Sequence, residues 1–384
     1  MTRSVTGVPF VDLQFVHQPI QDQIEEAVRT VLQRGDFILG QAVTEFETAF
    51  AAACGVPYGV GVACGTDAIA LGLKACGIGA GDEVLVPANT FIATLIGVLH
   101  AGATPILVDC DPDTALVDLA AAERAVTPRT KAILPVHLYG QMVSPQQLLD
   151  FAETYNLTIF EDAAQAHLAE REGYKAGSVG RAAAFSFYPS KNLGAAGNGG
   201  IVVTQDEAVA QKLRSLRNYG APQKYIHHDL GTNSRLDTMQ AAILNVKLPH
   251  LADWNRQRYE AARYYDTLLQ PLKEWGIEPL ENRSGSGHVY HLYVIRVGEL
   301  DIDRSAVADA LASQGIQTGI HYPLPCHLQP AYRHLGYKAG DFPHAEMLCD
   351  RILSLPMFPG LTATEIDRVV EAIVSIFKRK LSAA

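Results

Sequence analysis

The chain has 384 residues, 48% of them apolar and 19% charged, which is typical of a globular protein and, at this length, of two or three domains. Its 41 acidic and 31 basic residues give a formal net charge of −10, which argues against nucleic-acid binding and against attraction to anionic membranes. The six cysteines include no C-x-x-C pair, and the chain has neither a signal-peptide pattern at its start nor an apolar run long enough to span a bilayer. These features predict a soluble, cytoplasmic protein.

Short apolar runs alternate with helix-like segments along the first two thirds of the chain. The runs that predict buried strands are 59–63, 83–87, 105–109, 132–138, 157–161, 183–187 and 200–204. Amphipathic segments between them predict helices, among them 66–76, 90–101 and 144–155. This alternation predicts an α/β fold with a mixed, mostly parallel seven-stranded sheet flanked by helices. The short link around Lys191 predicts that the last two strands pair antiparallel.

The pattern changes after Leu236. Segment 237–269 has apolar residues at helical spacing, interrupted by Pro249, and predicts one bent helix or two that connect domains. Further on, 288–297 resembles a strand and 303–314 a helix, and the spacing of Thr362 and Glu365 predicts a capping box that starts a final helix. We therefore expect a large α/β domain at 1–250 and a smaller α+β domain at 251–384.

Lys191 follows the predicted strand 183–187 in the segment F-S-F-Y-P-S-K-N-L. A lysine at a strand end among apolar residues is unfavourable unless its charge is lowered or paired. A lysine with a lowered pKa is what Schiff-base chemistry requires. For this residue alone, an ordinary surface lysine in the turn 189–192 remains the alternative.

Asp162 stands in the segment E-D-A-A-Q-A-H, directly after the apolar run 157–160. The carboxyl end of a buried strand is where ligands bind in α/β sheets. An acid there is able to keep a pyridine nitrogen protonated, which makes the ring an electron sink. Gln165, three residues on, is placed to donate to the phenolic oxygen of such a ring. The alternative is that Asp162 only caps the following helix.

A third group of residues suits the binding of a phosphate. In A-C-G-T-D-A, Gly65 and Thr66 stand where a predicted strand leads into a helix, and free amides at a helix start attract phosphate. Ser186, five residues before Lys191, offers a second hydroxyl, and Phe91 is placed to stack on an aromatic cofactor. The alternatives are a simple helix cap for Gly65 and Thr66, and core packing for Phe91.

A phosphate cradle, an acid for a ring nitrogen, a stacking aromatic residue and a lysine together indicate pyridoxal 5′-phosphate. The sequence resembles the DegT-type nucleotide-sugar aminotransferases, which have the aspartate-aminotransferase fold (fold type I of the transferases that use this cofactor). The resemblance covers nearly the whole chain, from V-P-F-V-D-L at residue 8 to the final helix. It rests on the motifs G-T-D-A, P-A-N-T-F-I-A-T, P-V-H-L-Y-G-Q, E-D-A-A-Q-A-H, F-S-F-Y-P-S-K-N-L-G-A and N-S-R-L-D-T-M-Q-A-A-I-L.

The resemblance assigns roles to individual residues. It implies that Lys191 holds the cofactor as a Schiff base, that Asp162 pairs with the pyridine nitrogen, and that Gln165 lies near the phenolic oxygen. The phosphate is assigned to Gly65, Thr66, Ser186 and the backbone amide of Asp67. Asn233 matches an asparagine that completes this cradle from the neighbouring subunit, so the resemblance implies a homodimer with shared active sites. The residues that match contacts to the sugar nucleotide are Arg235, His321 and Tyr322.

The implied reaction moves an amino group from an amino acid, L-glutamate by resemblance, to a keto-sugar nucleotide. The start V-P-F-V-D-L and the run N-S-R-L-D favour the branch that acts at C3 of dTDP-linked 3-keto-6-deoxyhexoses over the enzymes for 4-keto sugars. A dehydratase on the same scaffold carries histidine at the lysine position, so Lys191 argues against it. A non-enzymatic regulator is the other alternative, but it would need an added signalling or DNA-binding module for which 384 residues leave no room.

Three positions depart from the family's pattern. Asn198 stands where relatives usually have Asp, Leu168 where Gly is usual, and Cys64 where Ser or Asn is common. None of them removes a catalytic group. Leu168 places the shape of its loop, and with it the fit of the substrate, in doubt.

Two further patterns do not predict sites. The glycines of segment 77–81 do not form a dinucleotide-binding motif, because the third glycine is misplaced and no strand precedes them. The pairs His227–His228 and His288–His291 lack accompanying cysteine or carboxylate residues at the spacing of metal ligands. We therefore predict no metal site.

Overall fold

The computed structural model describes residues 7–298 and 303–381. The α-helices in these ranges are α1 (Leu13–His17), α2 (Gln21–Arg34), α3 (Gln41–Ala53), α4 (Gly65–Ala75), α5 (Ile92–Ala101), α6 (Leu119–Arg124), α7 (Pro145–Tyr155), α8 (Glu207–Leu216), α9 (Thr238–Lys247), α10 (Leu251–Leu269), α11 (Arg304–Ala312), α12 (Pro343–Arg351) and α13 (Ala363–Leu381). The strands are β1 (Tyr58–Val62), β2 (Glu83–Pro87), β3 (Thr104–Val108), β4 (Thr130–Ile133), β5 (Thr158–Asp162), β6 (Glu170–Arg171), β7 (Tyr174–Lys175), β8 (Ala182–Ser186), β9 (Gly200–Thr204), β10 (Ile277–Pro279), β11 (Tyr293–Val297) and β12 (Ile352–Leu355).

The main sheet has seven strands in the order β1-β9-β8-β5-β4-β2-β3. Its pairs are parallel except for the two made by β9, which runs antiparallel to β1 and to β8. This confirms the predicted mixed, mostly parallel seven-stranded sheet and the antiparallel pair on either side of Lys191. The strands are short and nearly fully buried, because helices cover both faces of the sheet.

Two predicted strands are longer than the observed ones. The run 132–138 forms a strand only as far as Ile133, because Pro135 has no N–H to donate and the sheet continues as a single bridge between Val136 and Asp162. The run 288–297 is a strand only from Tyr293, since Tyr290 has a φ of +40° that interrupts the extended backbone.

Segment 237–269 is two helices, α9 and α10, joined by a short 3₁₀ turn at 248–250 that contains Pro249. Helix α10 begins at Leu251 in the core beneath the main sheet and ends at Leu269 in a second core. That second core lies around the antiparallel sheet β10-β11-β12 and helices α11 and α13. Within the described residues, no helix is long and apolar enough to cross a bilayer.

The capping box predicted before α13 is present. The N–H of Glu365 donates to Thr362 Oγ1 at 3.3 Å, and the N–H of Thr362 donates to Glu365 Oε2 at 2.8 Å.

Replacing Thr362 with Ala removes the acceptor at the helix start, so we expect the free energy of unfolding to fall by about 1 kcal/mol. Urea denaturation measures this, and Thr362→Ser, which keeps a hydroxyl, serves as the control. Equal stability of the alanine variant and the wild type would contradict the role of the cap.

Candidate active site

The neighbouring parallel strands β5 and β8 end at the same edge of the main sheet and bring the predicted acid and lysine together. Asp162 is the last residue of β5 and pairs with Ala184 of β8, while Lys191 lies in the loop between β8 and β9. A cavity opens at this edge. The predicted site residues that line it are Gly65, Thr66, Phe91, Asp162, Gln165, Ser186, Lys191, His321 and Tyr322. The other three predicted residues, Asp67, Asn233 and Arg235, do not line it.

Lys191 is partly buried in the wall of this cavity. Its backbone N–H donates to the carbonyl of Tyr188 at 2.8 Å, whereas among the described residues none accepts a hydrogen bond from its Nζ. Burial lowers the pKa of Lys191 to about 8, and the charge of Asp162 opposes part of this change. About one tenth of such a lysine is neutral at pH 7, which makes it available as a nucleophile and a base.

Asp162 is buried, and each of its carboxylate oxygens accepts a hydrogen bond. The Thr94 hydroxyl, on α5, donates to Oδ2 at 2.8 Å, and the N–H of Ala164 donates to Oδ1 at 3.1 Å. The Thr90 hydroxyl lies 2.8 Å from that of Thr94 and completes the chain. Burial raises the pKa of Asp162, while these hydrogen bonds and the charge of Lys191 lower it in part. A buried carboxylate held in this way is stabilised most by a buried cation.

The side-chain amide of Gln165 has a defined orientation. Its Oε1 accepts the backbone N–H of Tyr139 at 2.6 Å, so the other end must be the NH₂ group. That NH₂ group donates to the Tyr322 hydroxyl at 3.1 Å. The ring of Phe91 lies 5.2 Å from that of Tyr322, at the mouth of the cavity. Gln165 lines the cavity, and its NH₂ group is directed toward Tyr322, another residue of the lining.

The start of α4 forms another wall of the cavity. A Cβ atom on Gly65 would lie 2.7 Å from the Cβ atom of Ser186, so only glycine lets the helix approach β8 this closely. No hydrogen-bond acceptor binds the Gly65 amide in the described part of the chain. The hydroxyls of Thr66 and Ser186 line the same wall. An open helix start flanked by two hydroxyls fits a phosphate group.

The amide of Asp67 is less available than the resemblance implies. Cys64 is the N-cap of α4, and its Sγ accepts the Asp67 N–H at 3.4 Å. The carboxylate of Asp67 accepts a hydrogen bond from Ser234 at 2.6 Å. The thiol of Cys64 therefore serves as the cap acceptor, the role that Ser or Asn fills better at this position.

Leu168 adopts the backbone conformation that favours glycine. Its φ is +61°, in the left-handed region, where a side chain costs about 1 kcal/mol. At this one position the backbone therefore has a conformation that glycine adopts without strain. Asn198, another loop position at which this chain departs from the family's usual residue, lines the cavity.

Asn233 and Arg235 line a separate pocket next to the cavity, and Cys64 and Asn198 border both. The side chain of Asn233 is exposed. Arg235 Nη1 donates to Asn218 Oδ1 at 2.5 Å, and the guanidinium lies 5.4 Å from the centre of the Tyr219 ring. Arg235 Nε is buried and has no hydrogen-bond partner among the described residues. Neither side chain reaches the Lys191 cavity of the same chain.

Sequence reasoning missed several polar residues of the cavity, Thr94 and His291 among them. Thr94 follows Thr90 by four residues in P-A-N-T-F-I-A-T, and this spacing, which places two hydroxyls side by side, was the available signal. The sequence signal at His291, its spacing from His288, suggests only a metal ligand. In the described ranges, no three or more His, Cys, Asp or Glu residues lie close enough together to hold a metal ion.

Residues 18–374 match the model of the DegT/DnrJ/EryC1/StrS aminotransferase family, which is more than nine tenths of the chain. The chain belongs to this family. The match confirms the resemblance on which the assigned residues rest, and with it the class of enzyme, an aminotransferase.

Two relatives show how similar the chain is to characterised members. It is 46% identical over 366 residues to the erythromycin biosynthesis sensory transduction protein EryC1 of Saccharopolyspora erythraea, covering 95% of this chain and 98% of that one. It is 44% identical over 366 residues to the dTDP-3-amino-3,4,6-trideoxy-α-D-glucose transaminase of Streptomyces venezuelae, covering 95% of both chains.

Solved structures agree with the fold. DesV of S. venezuelae, in complex with a ketimine intermediate, has a TM-score of 0.92 and 43% identity, with 97% of this chain and 98% of that chain covered. NtdA of Bacillus subtilis, with the bound cofactor PMP, has a TM-score of 0.90 and 34% identity. The comparison covers 98% of this chain and 86% of that chain. The predicted aminotransferase fold is confirmed.

Proposed function

We propose that this protein uses pyridoxal 5′-phosphate to move an amino group from L-glutamate to C3 of a dTDP-linked 3-keto-6-deoxyhexose. The observation that carries this proposal is the placement of Lys191 and Asp162 in one cavity. The lysine has a lowered pKa and an Nζ that no described residue binds, and the acid is buried with both oxygens hydrogen-bonded.

The donor set of the cavity fits this cofactor. The open start of α4 and the hydroxyls of Thr66 and Ser186 suit its phosphate. The Asp162 carboxylate suits a protonated ring nitrogen, and the Gln165 NH₂ group suits the phenolic oxygen. When bound, the cofactor supplies an aldehyde for covalent capture of amines and a ring that accepts electrons from the α-carbon of the amino donor.

The residues of the chain then have separate tasks. Lys191 would hold the cofactor through its Nζ. Once an amino donor takes that place, the freed Nζ would act as general base toward the donor's α-carbon and then as general acid. Asp162 would keep the ring nitrogen of the bound cofactor protonated, and the hydrogen bond from Thr94 orients the Asp162 carboxylate for this role. His321 and Tyr322, which also line the cavity, are the candidates for contact with the sugar.

The choice of sugar rests on the transaminase of S. venezuelae, whose name specifies an amino group at C3 of a dTDP-linked deoxyhexose. The test is an assay of purified protein with glutamate and a panel of 3-keto and 4-keto sugar nucleotides that differ in nucleobase. Preferred turnover of a dTDP-linked 3-keto sugar supports the proposal. Preference for a 4-keto sugar would instead assign the protein to the branch that acts on 4-keto sugars. No turnover with any sugar nucleotide of the panel would favour a regulatory role.

We also propose that two chains build each active site. Asn233 and Arg235 do not line the Lys191 cavity of their own chain but a pocket beside it, and Arg235 Nε has no hydrogen-bond partner among the described residues. The neighbouring segment exposes Phe37, Ile38 and Leu39, apolar side chains that a second subunit would cover. In a two-fold dimer the exchange is reciprocal, so each chain would lend Asn233 and Arg235 to the other.

Complementation tests the shared site. Lys191→Ala and Arg235→Ala chains are each expected to be inactive, but a mixed dimer would contain one site with both residues intact. Mixing equal amounts under conditions that allow subunit exchange should therefore restore roughly a quarter of wild-type activity. The control is the same mixture without exchange. If exchange is demonstrated by mass spectrometry and no activity returns at any ratio, the sites lie within single chains.

A further inference from the structure

Tyr139, in the turn that follows β4, is hydrogen-bonded to two residues of the cavity lining but does not line the cavity itself. Its backbone N–H donates to Gln165 Oε1 at 2.6 Å. Its hydroxyl donates to the carbonyl of His321 at 2.5 Å. Because Gln165 Nε2 donates to the Tyr322 hydroxyl at 3.1 Å, these bonds join the region after β5 to the segment between α11 and α12.

The direction of the bond between Tyr139 and His321 is fixed by its chemistry. A carbonyl only accepts, so the Tyr139 hydroxyl is the donor. Tyr139 is buried, and burial raises the pKa of its hydroxyl well above the usual range. The hydroxyl therefore keeps its proton and remains a donor at neutral and mildly alkaline pH.

The segment 320–323 has few hydrogen bonds to its backbone. Before it, Gly319 and Ser354 exchange two backbone hydrogen bonds of 3.0 and 2.8 Å, and after it the N–H of Cys326 donates at 2.8 Å to the carbonyl of the residue that follows β2. In the part of the chain that the structure describes, the bond from Tyr139 is the only one to a backbone group of 320–323. Without this bond, the segment would be held by its backbone only at its two ends.

The side chain of His321 is held by other residues. Its Nδ1 lies 2.9 Å from the Ser354 hydroxyl, and its ring stacks on that of Phe10 with 5.6 Å between the ring centres. These contacts orient the imidazole. The Tyr139 hydroxyl instead holds the peptide group between His321 and Tyr322, and so ties both residues to the end of the main sheet.

The backbone of Tyr139 is in the left-handed region, with a φ of +60°, which is unfavourable for a residue with a side chain. In this conformation each of its three polar groups has a partner. The N–H binds Gln165, the hydroxyl binds His321, and the carbonyl accepts the N–H of Leu292 at 3.3 Å. Three segments that are distant in sequence thus meet at one strained residue, a feature that is common beside functional sites.

We propose that Tyr139 is a positioning residue for the part of the cavity that receives the sugar. By holding the peptide between His321 and Tyr322, its hydroxyl keeps both side chains in place before the sugar nucleotide arrives, so that binding does not have to order them. The proposal rests on the proposed function, in which these two residues contact the sugar, and adds Tyr139 to it. Because Tyr139 does not line the cavity, it acts only through its hydrogen-bond partners.

Tyr139→Phe tests this role, since it removes the hydroxyl and keeps both the ring and the backbone N–H that binds Gln165. The readout is the affinity of the full-length, cofactor-loaded protein for dTDP and for dTDP-glucose, measured by calorimetry. dTDP-glucose carries a hexose without a keto group, so it binds without turnover. The matched control is Tyr265→Phe, which removes a buried hydroxyl that donates to the carbonyl of Pro356 at 3.2 Å, outside the cavity lining.

We expect Tyr139→Phe to weaken the binding of dTDP-glucose about fivefold, the effect of one lost hydrogen bond, and to leave the affinity for dTDP unchanged. Tyr265→Phe should change neither affinity. A general loss of structure would weaken the binding of both ligands by the same factor. Equal weakening of both ligands by Tyr139→Phe, or no weakening of either, would overturn the inference.

A measurement on the wild type covers the case in which Tyr139→Phe does not fold. In crystals grown with dTDP and with dTDP-glucose, the Tyr139 hydroxyl should lie within hydrogen-bond distance of the His321 carbonyl in both, with the hexose against His321 and Tyr322. A hexose bound elsewhere, or a Tyr139 contact that forms only when the hexose is present, would overturn the inference.

The two proposals fail in different ways. A wild type that binds neither dTDP nor dTDP-glucose would contradict the proposed function and, with it, this inference. A wild type that binds both ligands and aminates a dTDP-linked keto sugar, while Tyr139→Phe keeps the wild-type ratio of the two affinities, would contradict this inference alone.

Discussion

Lys191→Ala is expected to abolish turnover, with activity below detection in an assay of glutamate and a keto-sugar nucleotide. In the proposed mechanism the substitution removes both the group that captures the cofactor and the base that moves the proton. Among the lysines in the described part of the chain, only Lys191 lines the cavity. Cofactor bound to the wild type should be trapped by borohydride as an adduct on the peptide that contains Lys191, with loss of the yellow colour.

Lys131→Ala is the matched control, because Lys131 is exposed and distant from the cavity. This variant should keep wild-type activity and the adduct on Lys191. A Lys191→Ala protein with a near-normal rate, or an adduct on another lysine, would rule out the mechanism.

Asp162→Ala is expected to lower kcat/KM on the order of a thousandfold. Removing one partner of a buried charge pair leaves the other uncompensated, which costs about 3–5 kcal/mol, and each 1.4 kcal/mol is a factor of ten in rate. Asp162→Asn separates charge from shape, since it keeps the size of the side chain and an oxygen that accepts from Thr94. We expect it to be nearly as impaired as the alanine variant and to bind the cofactor more weakly.

The measurements for Asp162 are steady-state kinetics and the affinity for the cofactor, followed by its absorption. Asp150→Asn, an exposed acid on α7, is the control and should behave like the wild type. Near-normal rates for Asp162→Asn would show that the negative charge of Asp162 is not required.

The sequence by itself predicted the sheet and pointed to the segments at the edge where Asp162 and Lys191 meet. Buried strands read as short apolar runs, and a strand's carboxyl end is a local feature, so the segments around Asp162 and Lys191 were recognisable before any contact was known. The antiparallel pair on either side of Lys191 followed from the length of the link alone. Strand ends were less certain where one residue breaks the backbone pattern, as Pro135 and Tyr290 do.

The tertiary structure decided which polar atoms face each other. The bond from Thr94 to Asp162 joins residues 68 positions apart, and the contact between Asn192 and His291 spans 99 positions. Periodicity describes only neighbours within one helix or strand, so it gives no information on such pairs. The side-chain amides of Asn192 and Asn255 are likewise oriented by carbonyls at Val289 and His167 that folding brings to the same buried cluster. A hydrogen bond requires two atoms at a defined distance and angle, and only the folded chain sets these for residues far apart in sequence.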